Sequence, residues 1–466
     1  MPLGSLKRLS IMKNQTRRSF LKRSVISSVS ALTLPTILPS HLWSAETKPN
    51  SRLTMGFVGM GTQGRGLLEG FLGQATQVVA VCDVDTTRRE NAKRIVDEHY
   101  ARVTKQANPT QSAAGCTAYN DFRDLIARKD IDAICIATPD HWHAIITLAA
   151  LRSGKDVYCE KPLTHNIHEA VEVLRTVSDN HRVLQTGSMQ RSSSEFRVMC
   201  ELVRNGVIGQ LQGVECSFGP PPVPCNLPEE AMEPGLDWDR WVGPAPLRPY
   251  HSELSPRGVH KHFPNWRNYS EFGGGMVADW GAHHLDIAQW GLGMDASGPV
   301  QVLLPETPDA KEGARLVYAS GIHVKHVSNG FGIDFRGTEG RVQVNRGKFS
   351  FEHNGKIIAA FRGKEDEDTS LGQQLQIAQR EFLKEAKVKL YVSQNHITDF
   401  LNNVKSRQPP ITNEQVGGRS AICCHLLNLA YRHRQEIKWD PEHLEFAKGS
   451  GDPKWLTRDY RSPWQA

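Results

Sequence analysis

Leu53-Thr54-Met55-Gly56-Phe57-Val58-Gly59-Met60-Gly61-Thr62-Gln63-Gly64 is the stretch on which the reading of this chain turns. An apolar run closed by glycines predicts a buried strand over 53–58, followed by a helix over about 64–72. Each glycine of the G-x-G-x-x-G pattern has a steric task. Gly59 permits the tight turn, Gly61 lets a pyrophosphate come against the backbone, and Gly64 lets helix and strand pack closely. The start of the helix then offers unpaired N–H groups to an anion. Asp83 stands 24 residues after Gly59, at the end of a second predicted strand over 77–82, where a carboxylate would grip ribose hydroxyls. Strand, glycine turn, helix and acid together predict a dinucleotide site. Asp83 would repel a 2′-phosphate, which favours NAD, while Arg88 and Arg89 close by in sequence keep NADP open.

Outward from this stretch the alternation continues, with strands predicted over 131–137, 156–159 and 182–186. Helical patterns lie between them over 88–100, 121–127, 144–153 and 168–180. Strands alternating with helices of that length predict an α/β domain, a doubly wound parallel sheet spanning residues 46–185. Two sequences fall at carboxyl ends of its strands, where open α/β sheets bind ligands. They are Ala137-Thr138-Pro139-Asp140-His141-Trp142-His143 and Cys159-Glu160-Lys161-Pro162-Leu163. The expected cofactor contacts are therefore Gly59, Met60, Gly61, Gln63, Gly64, Asp83, Thr138, Pro139, His141, His143, Glu160 and Lys161. Lys161 would aim its ammonium at the nicotinamide end, or else pair with Glu160 or another carboxylate.

Further along, Gly273-Gly274-Gly275 precedes a helical stretch in which Asp279, His283 and Asp286 are spaced i, i+4 and i+7, on one face. An acid–His–acid face can orient an imidazole and tune its pKa. His283 and His284 with the two aspartates, and His141 with His143, match no metal-ligand spacing, so no metal is predicted.

Composition fits these readings. The 466 residues are 39% hydrophobic and 23% charged, as in a soluble globular protein of two or three domains. The formal net charge of +6 sits at the front, since residues 1–45 hold seven Lys and Arg and no Asp or Glu. Subtracting those seven from 56 leaves 49 basic residues against 50 acidic, which removes any case for a nucleic-acid partner. The segment 1–45 reads as an export signal, and Thr16-Arg17-Arg18-Ser19-Phe20-Leu21-Lys22 resembles the twin-arginine motif. A periplasmic location is expected, with a membrane tether only if the segment is retained. The nine cysteines contain no C-x-x-C pair and are expected to be reduced packing residues.

Taken together, the Gly59–Gly64 fingerprint, Thr138-Pro139 with its histidines, Glu160-Lys161-Pro162 and Asp279…His283…Asp286 resemble the Gfo/Idh/MocA family of nicotinamide-dependent oxidoreductases. The likeness covers roughly residues 52–435. It implies a second, α+β domain with a large open, mainly antiparallel sheet over 186–440, whose exposed face binds substrate or a partner subunit in a homo-oligomer. Beta-like runs over 211–218, 300–304, 315–318, 322–327, 332–335 and 341–344 support it, with a helix over 414–434 and a tail over 441–466. Carried over by the resemblance, Lys161 polarises a substrate hydroxyl, His283 takes its proton, and Asp279 orients His283. Arg191, Asp286, Trp142 and His284 are the expected substrate contacts, with Asp286 binding a substrate hydroxyl or bracing the helix. The substrate implied is a sugar, glycoside or cyclitol, oxidised at a secondary hydroxyl by tightly bound NAD. The alternatives are a glycoside hydrolase working by transient oxidation, and a non-catalytic carbohydrate-binding protein. Residues 219–272 form a Pro- and Trp-rich insert, expected as a lid, a dimer arm, or a surface loop packing Trp238 and Trp241 inward.

Overall fold

The computed structural model describes residues 52–107, 115–307, 309–364, 366 and 368–465. The segment read as an export signal lies outside them. Strand β1 (Leu53–Val58) is apolar and buried along nearly its whole length, which places it at the centre of a parallel sheet covered on both faces. Its neighbours are β2 (Thr76–Cys82), β3 (Thr117–Tyr119), β4 (Ala133–Ile136), β5 (Asp156–Cys159) and β6 (Leu184–Thr186). The order β3-β2-β1-β4-β5-β6 reverses direction between β1 and β4, and Val58 lies opposite Ile136 there. A crevice opens outside such a switch point. The Gly59 turn enters it at close range, because a Cβ on Gly59 would stand 2.7 Å from the Ala137 and Thr138 backbone. Its φ of +89° is also a conformation that favours glycine.

A second sheet of ten strands runs β14-β13-β12-β11-β7-β10-β9-β8-β15-β16. Its members in chain order are β7 (Leu211–Ser217), β8 (Gln301–Leu303), β9 (Arg315–Val317), β10 (His323–Val327), β11 (Ile333–Gly337), β12 (Gly340–Asn345), β13 (Lys348–His353), β14 (Lys356–Phe361), β15 (Ile437–Asp440) and β16 (Glu445–Phe446). Only β7 and β10 pair in parallel; the other ladders are antiparallel. On this sheet lies the Gly275–Leu292 helix, with Gly281 against the Phe218 ring and Gly291 too close to Phe335 to admit a side chain. The Glu414–His433 helix shares the same core. Gly275 opens the first of these helices at φ +66°, with Pro221 and Pro222 so near that a Cβ would collide with them.

Chain order and packing diverge at the C-terminus. The His396–Ser406 helix sends Phe400 into the core of the parallel sheet, beside Phe71 and Tyr158. The stretch after residue 440, expected as a tail, first adds β16 to the second sheet and then returns to the parallel sheet over 458–464. Trp464 is buried 4.8 Å from Trp142, and Arg458 pairs with Glu169 at 3.1 Å. All nine cysteines are free thiols, and eight of them are buried.

Candidate active site

The crevice at the β1/β4 switch point widens into a cleft of about 490 Å³, in the range of small-molecule sites. One wall is the glycine turn and the ends of β2, β4 and β5; the other is the Gly275–Leu292 helix and the insert. The Thr62–Leu72 helix begins here at Gly61, with no side chain capping its first turn. A Cβ on Gly61 would meet nothing within 4 Å, whereas one on Gly64 would stand 1.9 Å from Gly59 O. Gly64 thus closes helix onto strand, and Gly61 keeps the space before the helix clear. Asp83 opens on the same cleft, its Oδ2 accepting from Met60 N at 2.6 Å and its Oδ1 from Asp85 N at 2.9 Å. Thr138 Oγ1 is buried in the cleft wall without a partner. Open space at Gly61, uncapped N–H groups, a ribose-height carboxylate and an orphan hydroxyl fit a dinucleotide.

The reaction end is built by three elements. Lys161 follows β5 and reaches across to the Gly275–Leu292 helix, where its Nζ donates to the Asp279 carboxylate and, at 3.2 Å, to Asp279 O. Arg267, from the insert, approaches the other carboxylate oxygen at 3.3 Å. Burial pushes the Asp279 carboxyl up, but Lys161 and Arg267 overcome it and hold the group below the usual range. Behind Lys161, Glu160 accepts from Gln63 Nε2 at 2.9 Å, and burial raises its pKa. Burial likewise lifts Asp140 to about 7, against the pull of Lys161. His283 lines the cleft one turn after Asp279, its Nδ1 buried and, among the described residues, without a hydrogen-bond partner. Burial, then Lys161 and Arg346, push its pKa well below the ordinary value, so the ring is neutral at pH 7.

Several expected contacts take other positions. Asp279 does not orient His283: among the described residues its carboxylate holds Lys161 and Arg267, and these cations outcompete a neutral ring. Arg191 and Asp286 do not reach the cleft. They form a fully buried two-pronged pair at 2.8 and 2.9 Å, with Asp295 and Ser420 completing the network. His284 turns the other way, its Nδ1 against Ser217 O at 2.7 Å. His141 is wholly buried between Trp241 O and Phe272 O, where it anchors the insert. Met60 also keeps its side chain in the core, and serves the site through the N–H that holds Asp83. Trp142 does line the cleft, but its ring packs on Phe122 and Trp464 and its N–H donates to Trp241 O. His143 lines it too, with its ring nitrogens facing Thr138 O at 2.9 Å and Pro162 O at 2.7 Å, and burial lowers its pKa to about 4. It staples the two strand-end turns together. Gln63, Thr138, Pro139, Glu160 and Lys161 all face the cleft.

The insert covers the cofactor end. Trp238 and Trp241 stack 4.7 Å apart inside its own small core, while Phe263, Asn265 and Arg267 face the cleft. The insert is tied to the glycine-turn side at many points. Thr62 Oγ1 donates to His262 O at 2.8 Å, Arg65 to His260 O, and Arg88 to Ser255 Oγ at 3.2 Å and to Gly258 O at 3.3 Å. Sequence reasoning passed over Arg267, Arg346 and Trp280. Trp280 sits beside a residue already singled out, but Arg346 lies in a hairpin turn, and only the fold brings that turn to the cleft.

Fold and cleft define a dinucleotide-binding α/β protein whose second sheet and insert complete the site. Comparison with known proteins agrees. The oxidoreductase family with an NAD-binding Rossmann fold matches residues 53–188, and the C-terminal alpha/beta domain of the same family matches 222–466. The chain belongs to the Gfo/Idh/MocA oxidoreductase family. A glycosyl hydrolase family 109 protein of Shewanella putrefaciens is 26% identical over 225 residues, 44% of this chain and 46% of that protein. Inositol 2-dehydrogenase 1 of Mycolicibacterium vanbaalenii is 36% identical over 125 residues, 26% of this chain and 36% of that one. The match thus spans less than half the length of either relative. The aldose-aldose oxidoreductase of Caulobacter crescentus shares the fold, with a TM-score of 0.53 over 83% of this chain and 99% of that chain, at 16% identity.

Proposed function

We propose that the protein is an exported oxidoreductase that takes hydride from a secondary hydroxyl of a sugar, glycoside or cyclitol, using NAD that it keeps bound. The observation that carries this reading is the meeting of Lys161 and His283 in one cleft with the open cradle at Gly61. Alcohol oxidation needs a cation to stabilise the developing alkoxide and a base to take the proton. Lys161, held by Asp279, donates a hydrogen bond to the hydroxyl oxygen. His283, neutral because it is buried, accepts the hydroxyl proton. NAD, when bound, supplies the hydride acceptor. Trp280, 37% exposed beside His283, offers an aromatic face to a sugar ring.

Two features favour NAD over NADP. Asp83 meets the adenosine ribose with a carboxylate, and the neighbouring arginines are engaged elsewhere. Arg89 donates to Asp83 O at 2.7 Å and to Asn120 at 2.9 Å, while Arg88 is tied to the insert. The ties across the glycine turn support a cofactor that stays bound. That suits a protein whose twin-arginine motif sends it to the periplasm already folded, tethered if the segment is retained. The open face of the ten-stranded sheet is the surface we assign to a homo-oligomer.

A second reading, hydrolysis by transient oxidation, is favoured by the likeness to the glycosyl hydrolase family 109 protein. Both are tested by incubating NAD-loaded protein with a panel of aryl glycosides and cyclitols, following cofactor reduction and aglycone release together. Lasting reduction supports net oxidation, and aglycone release with no net reduction supports hydrolysis. Neither signal with any compound overturns both.

A further inference from the structure

Five basic side chains line the cleft, and four of them are answered by carboxylates. Arg88 meets Asp85 at 3.6 Å, Arg240 meets Asp237 at 2.5 Å, and Lys161 and Arg267 share Asp279. Among the described residues, Arg346 alone of the five has no carboxylate within 4 Å. It is not a loose surface residue. It sits at the turn between β12 and β13, which Gly347 N fixes by donating to Glu195 Oε1 at 3.2 Å. Its guanidinium stacks over the Trp280 ring, 4.6 Å from the centroid. With the Gln190 amide oriented to satisfy both neighbours, Gln190 accepts from Arg346 Nε at 3.3 Å and donates to His283 O at 3.1 Å. Only Nε is held by this bond; among the described residues the terminal nitrogens make no hydrogen bond, and Arg346 lines the same cleft as His283.

Asp279 and Glu160 attract Arg346 across the cleft, but neither is in contact with it. A planar fork fixed at one edge, lying on an aromatic face and with no carboxylate in contact, is suited to bind a two-oxygen anion. We infer that the sugar taken by this cleft carries an anionic substituent, a carboxylate or a sulfate ester, which pairs with Arg346 while Trp280 and Phe263 meet the ring. This deepens the reading above and rests on the cleft being a sugar site. The far ends of the cleft do not compete for Arg346. The dinucleotide phosphates belong at Gly61, on the other domain, and Asp279 is already shared by two cations.

The test uses the full chain loaded with NAD and calorimetric titration with methyl glucoside, methyl glucuronide and methyl glucoside 6-sulfate, and with the galacto set. An anionic member should bind roughly 10- to 100-fold more tightly than its neutral parent. The difference between uronide and sulfate identifies the anion. Arg346→Gln should erase that preference and leave NAD affinity unchanged, and Arg346→Lys should keep part of it. Equal binding of neutral and anionic members, a preference that survives Arg346→Gln, or no binding of any anionic probe at millimolar concentration would overturn the inference. Binding and turnover fail separately. Arg346-dependent binding without cofactor reduction would retire the oxidoreductase reading alone, and oxidation of neutral sugars without charge preference would retire this one alone.

Discussion

Asp279 and Asp286 lie seven residues apart on one helix, and each holds a basic side chain from another element, Lys161 from the end of β5 and Arg191 from the turn after β6. Lys161 and Asp279 remain 15% and 19% exposed, bordering the cleft, and their geometry leaves the ammonium within reach of a ligand. Arg191 and Asp286 are 2% and 0% exposed, closed in by Asp295, Ser420 and the Trp290 ring. In the function proposed above, the same pairing chemistry serves catalysis in one place and structure in the other, and solvent access decides which. The difference lies in the packing of the Gly275–Leu292 helix, which is buried on nearly every face and so presents different turns to different cores.

The sharpest way to break this contrast is to remove one member of each pair. Lys161→Met should lower turnover about 1,000-fold while NAD affinity and melting temperature stay near wild type. A large loss of stability would show that Lys161 is structural. Asp286→Ala should do the reverse and cost about 3–5 kcal/mol in denaturant unfolding, because Arg191 is left buried and partly uncompensated. If that variant keeps its stability and loses only activity, Asp286 belongs to the site after all.

Acid sharpens the comparison further. Burial lowers His284, on this helix, to about 4, and pushes His283 well below 6.5. Because the folded values lie below the unfolded one, the stability these rings contribute is present above pH 6.5 and lost as pH falls toward 4. Melting temperature should therefore drop between pH 6.5 and 4 by less in His284→Gln than in wild type, a comparison that cancels the opposing contribution of Asp140; equal drops would mean the ring is already solvated. The smallest effect is expected from Arg267→Ala. Asp279 keeps Lys161, so turnover should fall by less than about tenfold, as for loss of one exposed hydrogen-bonding partner. A loss as large as that of Lys161→Met would make the insert part of the catalytic machinery.

Five of the six strands of the parallel sheet were readable because their signals are local; β3, three residues long at the sheet edge, was not. Glycines at fixed spacing, apolar runs and the acid after β2 each act through near neighbours in sequence. Six of the ten strands of the second sheet were readable as well, but β13 to β16 were passed over, although Lys348–His353 alternates well. The site was readable in proportion to its dependence on the first sheet. Lys161, Asp279 and His283 line one cleft. The partners of Asp279, the burial of Arg191 and Asp286, and the arrival of Arg346 and Trp464 depend on contacts between residues tens to hundreds of positions apart. A helical face says which residues point together, and cannot say what another element brings to meet them.

Titration with dinucleotide asks whether the Gly59–Gly64 cradle holds NAD in the cleft that Lys161 lines. The protein should bind NAD tightly and NADP about 100-fold more weakly, as a carboxylate facing a phosphate implies. Gly61→Val should fold normally, since its side chain enters open space, yet lose NAD binding, while Lys161→Met should keep it. Unchanged affinity in Gly61→Val, or loss in Lys161→Met as complete as in Gly61→Val, would contradict the account.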